Sequence, residues 1–125
     1  EETCQEWCEA ILTNSDISAI NGLVYKVEGE IVKNPPRIKV KNVDDLPQPD
    51  RAAIDLKKYI DVWKEKHGKS TISISTQRGC PYTCKWCSTA VYGMSYRRRS
   101  ASLVADEIEA IIRDYNPDSL WFVDD

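Results

Sequence analysis

The chain has 125 residues, with 17 Lys and Arg against 20 Asp and Glu, a net charge of −3 and an isoelectric point near 5.2. That length suffices for one ordinary domain with a modest core, and the acidic balance gives no global electrostatic case for a nucleic-acid partner. No apolar run approaches the 18 residues of a membrane span, the opening Glu1-Glu2-Thr3-Cys4 is not that of a signal peptide, and five cysteines, three of them clustered, indicate a reducing, cytoplasmic compartment rather than a disulfide framework.

Residues 1–14 predict an amphipathic helix. Cys4, Cys8, Ile11 and Leu12 share a face at helical spacing, and Glu1, Glu2, Glu6 and Glu9 occupy the rest. Cys4 and Cys8 could form a two-ligand metal face, although cysteines so placed are more often small buried apolar groups. Asn14-Ser15-Asp16 supplies the turn chemistry that ends the helix. Leu23-Val24-Tyr25-Lys26-Val27 and Glu30-Ile31-Val32-Lys33 flank Glu28-Gly29 and predict a hairpin with a tight turn. Pro35-Pro36 interrupts pairing. Beyond it, Arg37-Ile38-Lys39-Val40-Lys41 alternates like a half-buried strand.

Asp50 is a good N-cap for a short helix carrying Ala53, Ile54 and Leu56. A second helix runs from about Leu56 to Lys66, with Tyr59, Ile60 and Trp63 on one face and Gly68 at its end. Lys57, Lys58, Lys64, Lys66 and Lys69 form a mild basic cluster that reads as a solvated helix face. His67 falls near the helix end, where the dipole favours positive charge. Ser70-Thr71-Ile72-Ser73-Ile74-Ser75-Thr76 alternates cleanly and predicts a strand.

Residues 100–115 give the strongest helical pattern. Ser100 is the N-cap, Asp106 and Glu107 favour the early turns, and Val104, Ile108, Ile111 and Tyr115 form a core-facing stripe. Asn116-Pro117 stops the helix. Ser119-Leu120-Trp121-Phe122-Val123 is a nearly continuous apolar run, as in a strand buried on both faces. Strand, loop, helix and strand then make one right-handed βαβ unit, which predicts an α/β fold with a parallel sheet.

The loop after the first of these strands carries the chemistry. Cys80, Cys84 and Cys87 stand in Gly79-Cys80-Pro81-Tyr82-Thr83-Cys84-Lys85-Trp86-Cys87, a C-x3-C-x2-C spacing. Three thiolates fall one short of a closed four-ligand site, and an open coordination position can bind a small molecule. Zinc is the main rival, yet zinc sites usually pair C-x2-C units or add histidines, and the only histidine here is His67. Gly79 lets the backbone turn closely, and Pro81 lowers the ordering entropy of the loop. Arg97-Arg98-Arg99 is the one sharp basic run. It could bind a carboxylate or phosphate, but in an acidic chain it is more often paired with nearby Asp and Glu.

The cysteine spacing, with an aromatic before the last cysteine, resembles the signature of the radical S-adenosylmethionine (radical SAM) enzymes. The match extends through Tyr92-Gly93, Arg97-Arg98-Arg99-Ser100 and Leu120-Trp121-Phe122-Val123-Asp124-Asp125, and is similar to the branch that carries a cobalamin-binding domain. The resemblance implies that Cys80, Cys84 and Cys87 hold a [4Fe-4S] cluster whose fourth iron takes S-adenosylmethionine. Reductive cleavage of that cofactor would release a 5'-deoxyadenosyl radical. It implies that Trp86 lies beside the adenine; shielding the cluster from water is its other reading. The glycine-glycine-glutamate form of the family is absent. Val123-Asp124-Asp125 stands in its place, implying either a carboxylate–ammonium contact by Asp124 or a helix-capping aspartate.

The resemblance further implies the start of a partial (β/α) barrel in residues 70–125, a connector with a hairpin in 18–69, and the last helix of an upstream cobalamin-binding domain in 1–17. A complete barrel needs further strand–helix units, so the chain is expected to be a fragment of a longer enzyme, inactive alone. The implied activity is cobalamin-dependent radical methylation of a small-molecule substrate, with a flavodoxin or ferredoxin as electron donor. The alternatives are a methylthiotransferase-like tRNA-modifying enzyme, a noncatalytic zinc-binding module, and an electron-transfer protein whose cluster has no open site.

Overall fold

The computed structural model describes residues 2–87 and 95–124. Two compact units are present, Glu1–Val40 and Lys41–Asp125.

In the first unit, α1 spans Glu2–Thr13 and a hairpin joins β1 (Val24–Val27) to β2 (Glu30–Lys33). The strands are antiparallel with Val27 opposite Glu30, so Glu28 and Gly29 form a two-residue turn. Both have positive φ, +50° and +96°, as a primed turn requires. Asn34 locks the hairpin to the preceding loop, donating from Nδ2 to the carbonyls of Ile17 and Ile20 at 2.9 Å each. Arg37 binds back onto α1. It donates to Glu2 at 3.1 Å, to Glu6, and to Thr3 Oγ1 at 2.9 Å.

Two expectations for this unit fail. The strand expected over residues 37–41 does not form, and Ile38 is 86% exposed. Alternation supplies a face but no partner strand, and the Arg37 side chain is drawn to α1 instead. Cys4 and Cys8 are not buried; both are exposed, as are Ile11 and Leu12, and Ala10 alone in α1 is buried.

The second unit begins with two 3-10 turns, Val43–Asp45 and Arg51–Ala53, capped by the side chains of Asn42 and Asp50. Asp50 therefore caps a 3-10 turn, not the expected helix, and Asp55 caps the longer helix α2 (Leu56–His67), which ends on Gly68 at φ +78°. β3 (Thr71–Ile74) pairs in parallel with the last strand, Ser119–Phe122, here β6, with Ile72 opposite Leu120. The helix between them in sequence, α3 (Ala101–Tyr115), is capped by Ser100 at one end and by left-handed Asn116 at the other. Ile60, Ile72, Ile74 and Ile111 form the core, with Leu56, Val104, Ile108, Tyr115 and Leu120 packed around it.

The stripe expected on α3 thus faces the core. On α2 only Ile60 is buried; Tyr59 and Trp63 are exposed, and Trp63 lies against the ring of His67, 4.2 Å between centroids. β6 is not buried on both faces either, since Trp121 and Phe122 are exposed. The β3–β6 pair is an open two-stranded parallel sheet. A second short pair, β4 (Gln77–Arg78) with β5 (Arg97–Arg98), is antiparallel and had no signal in the local pattern. The observed class is α/β, as expected.

Candidate metal-binding loop

β3 ends at Ile74, and the chain then enters the cysteine segment through β4. Pairing of Gln77 with Arg98 and Arg78 with Arg97 makes a stem at the base of the loop. Gly79 follows at φ +80°, pressed against Ser95: an added Cβ would lie 2.1 Å from the Ser95 carbonyl oxygen. Only glycine satisfies both the backbone angle and this close approach. The stem is fastened to β3 by the amide of Arg99, which donates to the Thr76 carbonyl at 2.9 Å.

Cys80 is half-buried at the top of the stem, and Cys84 and Cys87 are exposed. The last two share one turn, closed by a hydrogen bond from the Cys87 amide to the Cys84 carbonyl at 3.1 Å. All three are free thiols. Among the described residues no set of three His, Cys, Asp or Glu converges closely enough to hold a metal ion. The donor set itself fits an iron–sulfur cluster: three soft thiols on one short loop, at the carboxyl end of a parallel strand. His67 lies in α2, stacked on Trp63, not in this loop. Trp86 is 89% exposed. Tyr92, Gly93 and Asp125 lie outside the described residues.

Asp124 sits just beyond β6, where the amide of Val123 donates to the Ile74 carbonyl at 2.9 Å. Its two oxygens each accept one hydrogen bond from Thr76, Oδ1 from the amide and Oδ2 from the hydroxyl, both at 2.6 Å. The opposite end of the strand pair repeats the pattern. The Ser70 amide and hydroxyl donate to Asp118 Oδ2 at 2.7 and 2.8 Å, and Lys64 approaches the same carboxylate at 3.0 Å. The Ser70 amide, Lys64 and the Ser70 hydroxyl together hold the Asp118 carboxyl well below the usual carboxylate range.

The arginine run divides. Arg97 and Arg98 pair through their backbones in β5, and the Arg98 guanidinium stands 5.1 Å from the Tyr96 ring centroid. Arg99 turns inward to buried Glu107 at 2.5 Å and to the Ser75 carbonyl at 2.9 Å. Arg51 reaches the other oxygen of Glu107 at 2.7 Å and the Ser73 carbonyl at 3.2 Å. Burial pushes the Glu107 carboxyl up, but the hydrogen bonds and charges of Arg51 and Arg99 outweigh it, and the net shift is downward. These groups, with Arg78 and residues 46–49, line a cavity of about 260 Å³ beside the end of β3. Sequence reasoning assigned Arg97-Arg98-Arg99 to pairing with acidic side chains, which holds for Arg99, but it missed Glu107 as the partner.

No family model matches the chain. An uncharacterized methyltransferase of Pyrococcus horikoshii is 30% identical over 126 aligned residues, covering 100% of this chain and 26% of that protein. An anaerobic magnesium-protoporphyrin IX monomethyl ester cyclase of Rubrivivax gelatinosus is 30% identical over 104 residues, covering 82% of this chain and 18% of the relative. Two solved structures share the fold. The cobalamin-dependent S-adenosylmethionine radical enzyme OxsB, solved with aqua-cobalamin and S-adenosylmethionine, aligns with a TM-score of 0.75 at 21% identity over 98% of this chain and 16% of its own. The radical S-adenosylmethionine methyltransferase TsrM of Kitasatospora setae, solved with cobalamin and a [4Fe-4S] cluster, aligns at 0.71 and 22% identity over 99% of this chain and 25% of its own. Both of these solved neighbours are radical SAM enzymes, and the chain shares their fold. In sequence it is similar to a methyltransferase and a cyclase, and it spans about a quarter or less of the length of these relatives.

Proposed function

We propose that the chain is the amino-terminal part of a radical SAM catalytic core. In this reading residues 70–125 begin a (β/α) barrel, residues 18–69 form a connector, and residues 1–17 are the last helix of a cobalamin-binding domain. One observation carries the proposal: a C-x3-C-x2-C loop of free thiols rises from a stem at the carboxyl end of a parallel strand, with Gly79 fitted under Ser95. Cys80, Cys84 and Cys87 would hold a [4Fe-4S] cluster. When bound, the cluster would supply the electron that cleaves a carbon–sulfur bond of S-adenosylmethionine and yields a 5'-deoxyadenosyl radical.

The residues of this chain bind and orient. The stem fixes where Cys80 starts, and a backbone turn joins Cys84 to Cys87. Binding has to bring the three thiols onto one cluster, so ordering of the loop and cluster binding would be coupled. Trp86, exposed here, would cover the adenine of the cofactor. The similarity to a methyltransferase over the whole chain supports radical methylation, with cobalamin carried by the upstream domain, a flavodoxin or ferredoxin as reductant and a small molecule as acceptor.

The test is anaerobic reconstitution with iron and sulfide, read by metal and sulfide stoichiometry and by EPR of the reduced protein with and without S-adenosylmethionine. Four irons per chain, a signal that shifts with the cofactor, and loss of both in the Cys80→Ala/Cys84→Ala/Cys87→Ala variant are expected. Zinc in place of iron in folded protein would overturn the proposal.

A further inference from the structure

The Asp124–Thr76 contact has a meaning of its own. We propose that Asp124 is a positioning residue: with Thr76 it forms a carboxylate clamp that fixes the root of the cysteine loop, and it does not itself touch the cofactor. This rests on the reading of the loop as a cluster site.

Thr76 is the junction. Its amide and hydroxyl both donate to Asp124, and its carbonyl accepts from the Arg99 amide. Every polar group of Thr76 is therefore engaged, and through it the ends of β3 and β6 meet the segment that returns from the loop. One residue further, Gln77 begins the stem, and its carbonyl accepts from the Ser75 hydroxyl at 3.0 Å. Three residues further, Gly79 is wedged against Ser95. An opening of the clamp would free the strand end, then the stem, and so the position from which Cys80 is presented.

Repetition supports the assignment. Ser70 with Asp118 and Thr76 with Asp124 are separated by the same 48 residues, and in each pair an amide and a hydroxyl converge on one carboxylate. The two clamps bracket the β3–β6 pair at its two ends. Asp118 lies away from the cysteine loop and has only a structural use for this geometry. Asp124 applies the same device at the end where the loop departs. A charge-assisted hydrogen bond is shorter and stronger than a neutral one, which suits a joint at the root of the loop.

The experiment compares the wild-type chain with Thr76→Val, Asp124→Ala, the double variant, and the conservative Thr76→Ser and Asp124→Asn. The first readout needs no cluster: amide hydrogen exchange at residues 76–79. The second is iron and sulfide content after anaerobic reconstitution. The third is the concentration of S-adenosylmethionine that half-shifts the EPR signal, at matched cluster content. Thr76→Val and Asp124→Ala are each expected to speed exchange roughly tenfold or more, as loss of a hydrogen bond to a charged group does. The double variant should be no faster than the faster single one, and Thr76→Ser should restore protection. Both single variants should lower cluster content and leave the cofactor half-point within about twofold of wild type. Should Asp124→Ala weaken cofactor binding tenfold at equal cluster content while Thr76→Val does not, Asp124 is a cofactor ligand and the proposal falls. Unchanged exchange in both single variants would overturn it equally. If a global loss of structure obscures Asp124→Ala, the milder Asp124→Asn carries the comparison. A wild-type chain that takes up no four-iron cluster would sink the cluster reading, and the exchange data would still decide the clamp.

Discussion

Removing the Glu107 carboxylate should be among the most damaging single changes in the second unit. The side chain is 5% exposed, and its oxygens are held by Arg51 and Arg99, whose side chains are 20% and 16% exposed. In Glu107→Ala both guanidiniums stay mostly buried without a counter-charge. Breaking a buried pair from one side costs about 3–5 kcal/mol. Here each guanidinium keeps a backbone carbonyl, Ser73 for Arg51 and Ser75 for Arg99, and some access to water, so the lower end, about 3 kcal/mol, is expected. A unit of the size of Lys41–Asp125 has on the order of 4–13 kcal/mol in total, so the loss is a large share. The assay is urea unfolding of the chain followed by circular dichroism. Glu107→Gln should lose nearly as much, since its amide directs N–H groups at a guanidinium. The apolar triple variant Arg51→Met/Glu107→Leu/Arg99→Met should recover most of the stability, because it leaves no charge behind. A loss under about 1 kcal/mol for Glu107→Ala, the scale of an exposed pair, would refute the argument.

Other outcomes follow from the same geometry. Asp118 is ionised further into acid when folded than when unfolded. Its contribution is therefore complete above the ordinary carboxylate value of about 3.9 and is lost as pH falls through the folded value. Urea midpoints from pH 6 to pH 2 should decline below about pH 4, less steeply in Asp118→Asn. Gly79→Ala places a Cβ against the Ser95 carbonyl at a positive φ, strain of about 1–3 kcal/mol; hydrogen exchange in the stem should quicken and iron uptake fall. Ile111, 1% exposed in the core, should cost about 2–5 kcal/mol on truncation to Ala, whereas its exposed neighbour Ile112 should cost under about 1 kcal/mol, as measured by the same unfolding curves.

How far the fold could be read from the chain depended on whether the cause of each element was local. The α3 stripe, the caps at Ser100 and Gly68, and the Glu28-Gly29 turn all rest on contacts within a few residues, and all are present in the structure. The strand expected after Pro36 rested on alternation, which says which side chains share a face but not whether another strand lies beside them. Tyr59, Trp63 and Trp121 mark the same limit. Each sits at an apolar position of a regular pattern and is exposed here, since a pattern states what an element could bury and the neighbours decide what it does bury.

The site divides along the same line. Three cysteines on one loop are legible because ligand spacing is local, and Gly79 before the first of them is legible because a sharp turn needs it. The supports of the loop are not local. Thr76 meets Asp124 across 48 residues, and Arg51 meets Glu107 across 56. One signal did exist. Glu107 falls between Val104, Ile108 and Ile111 on the stripe assigned to the core, where a carboxylate is costly unless it is paired. Reading it as an early-turn charge favoured by the dipole ignored its face. A charged residue on an apolar stripe demands a buried partner, and an arginine run opening that same helix was the nearest supply. The inference from Glu107 to Arg99 was available from the sequence. The one to Arg51 needed the fold, because nothing local brings that turn to α3.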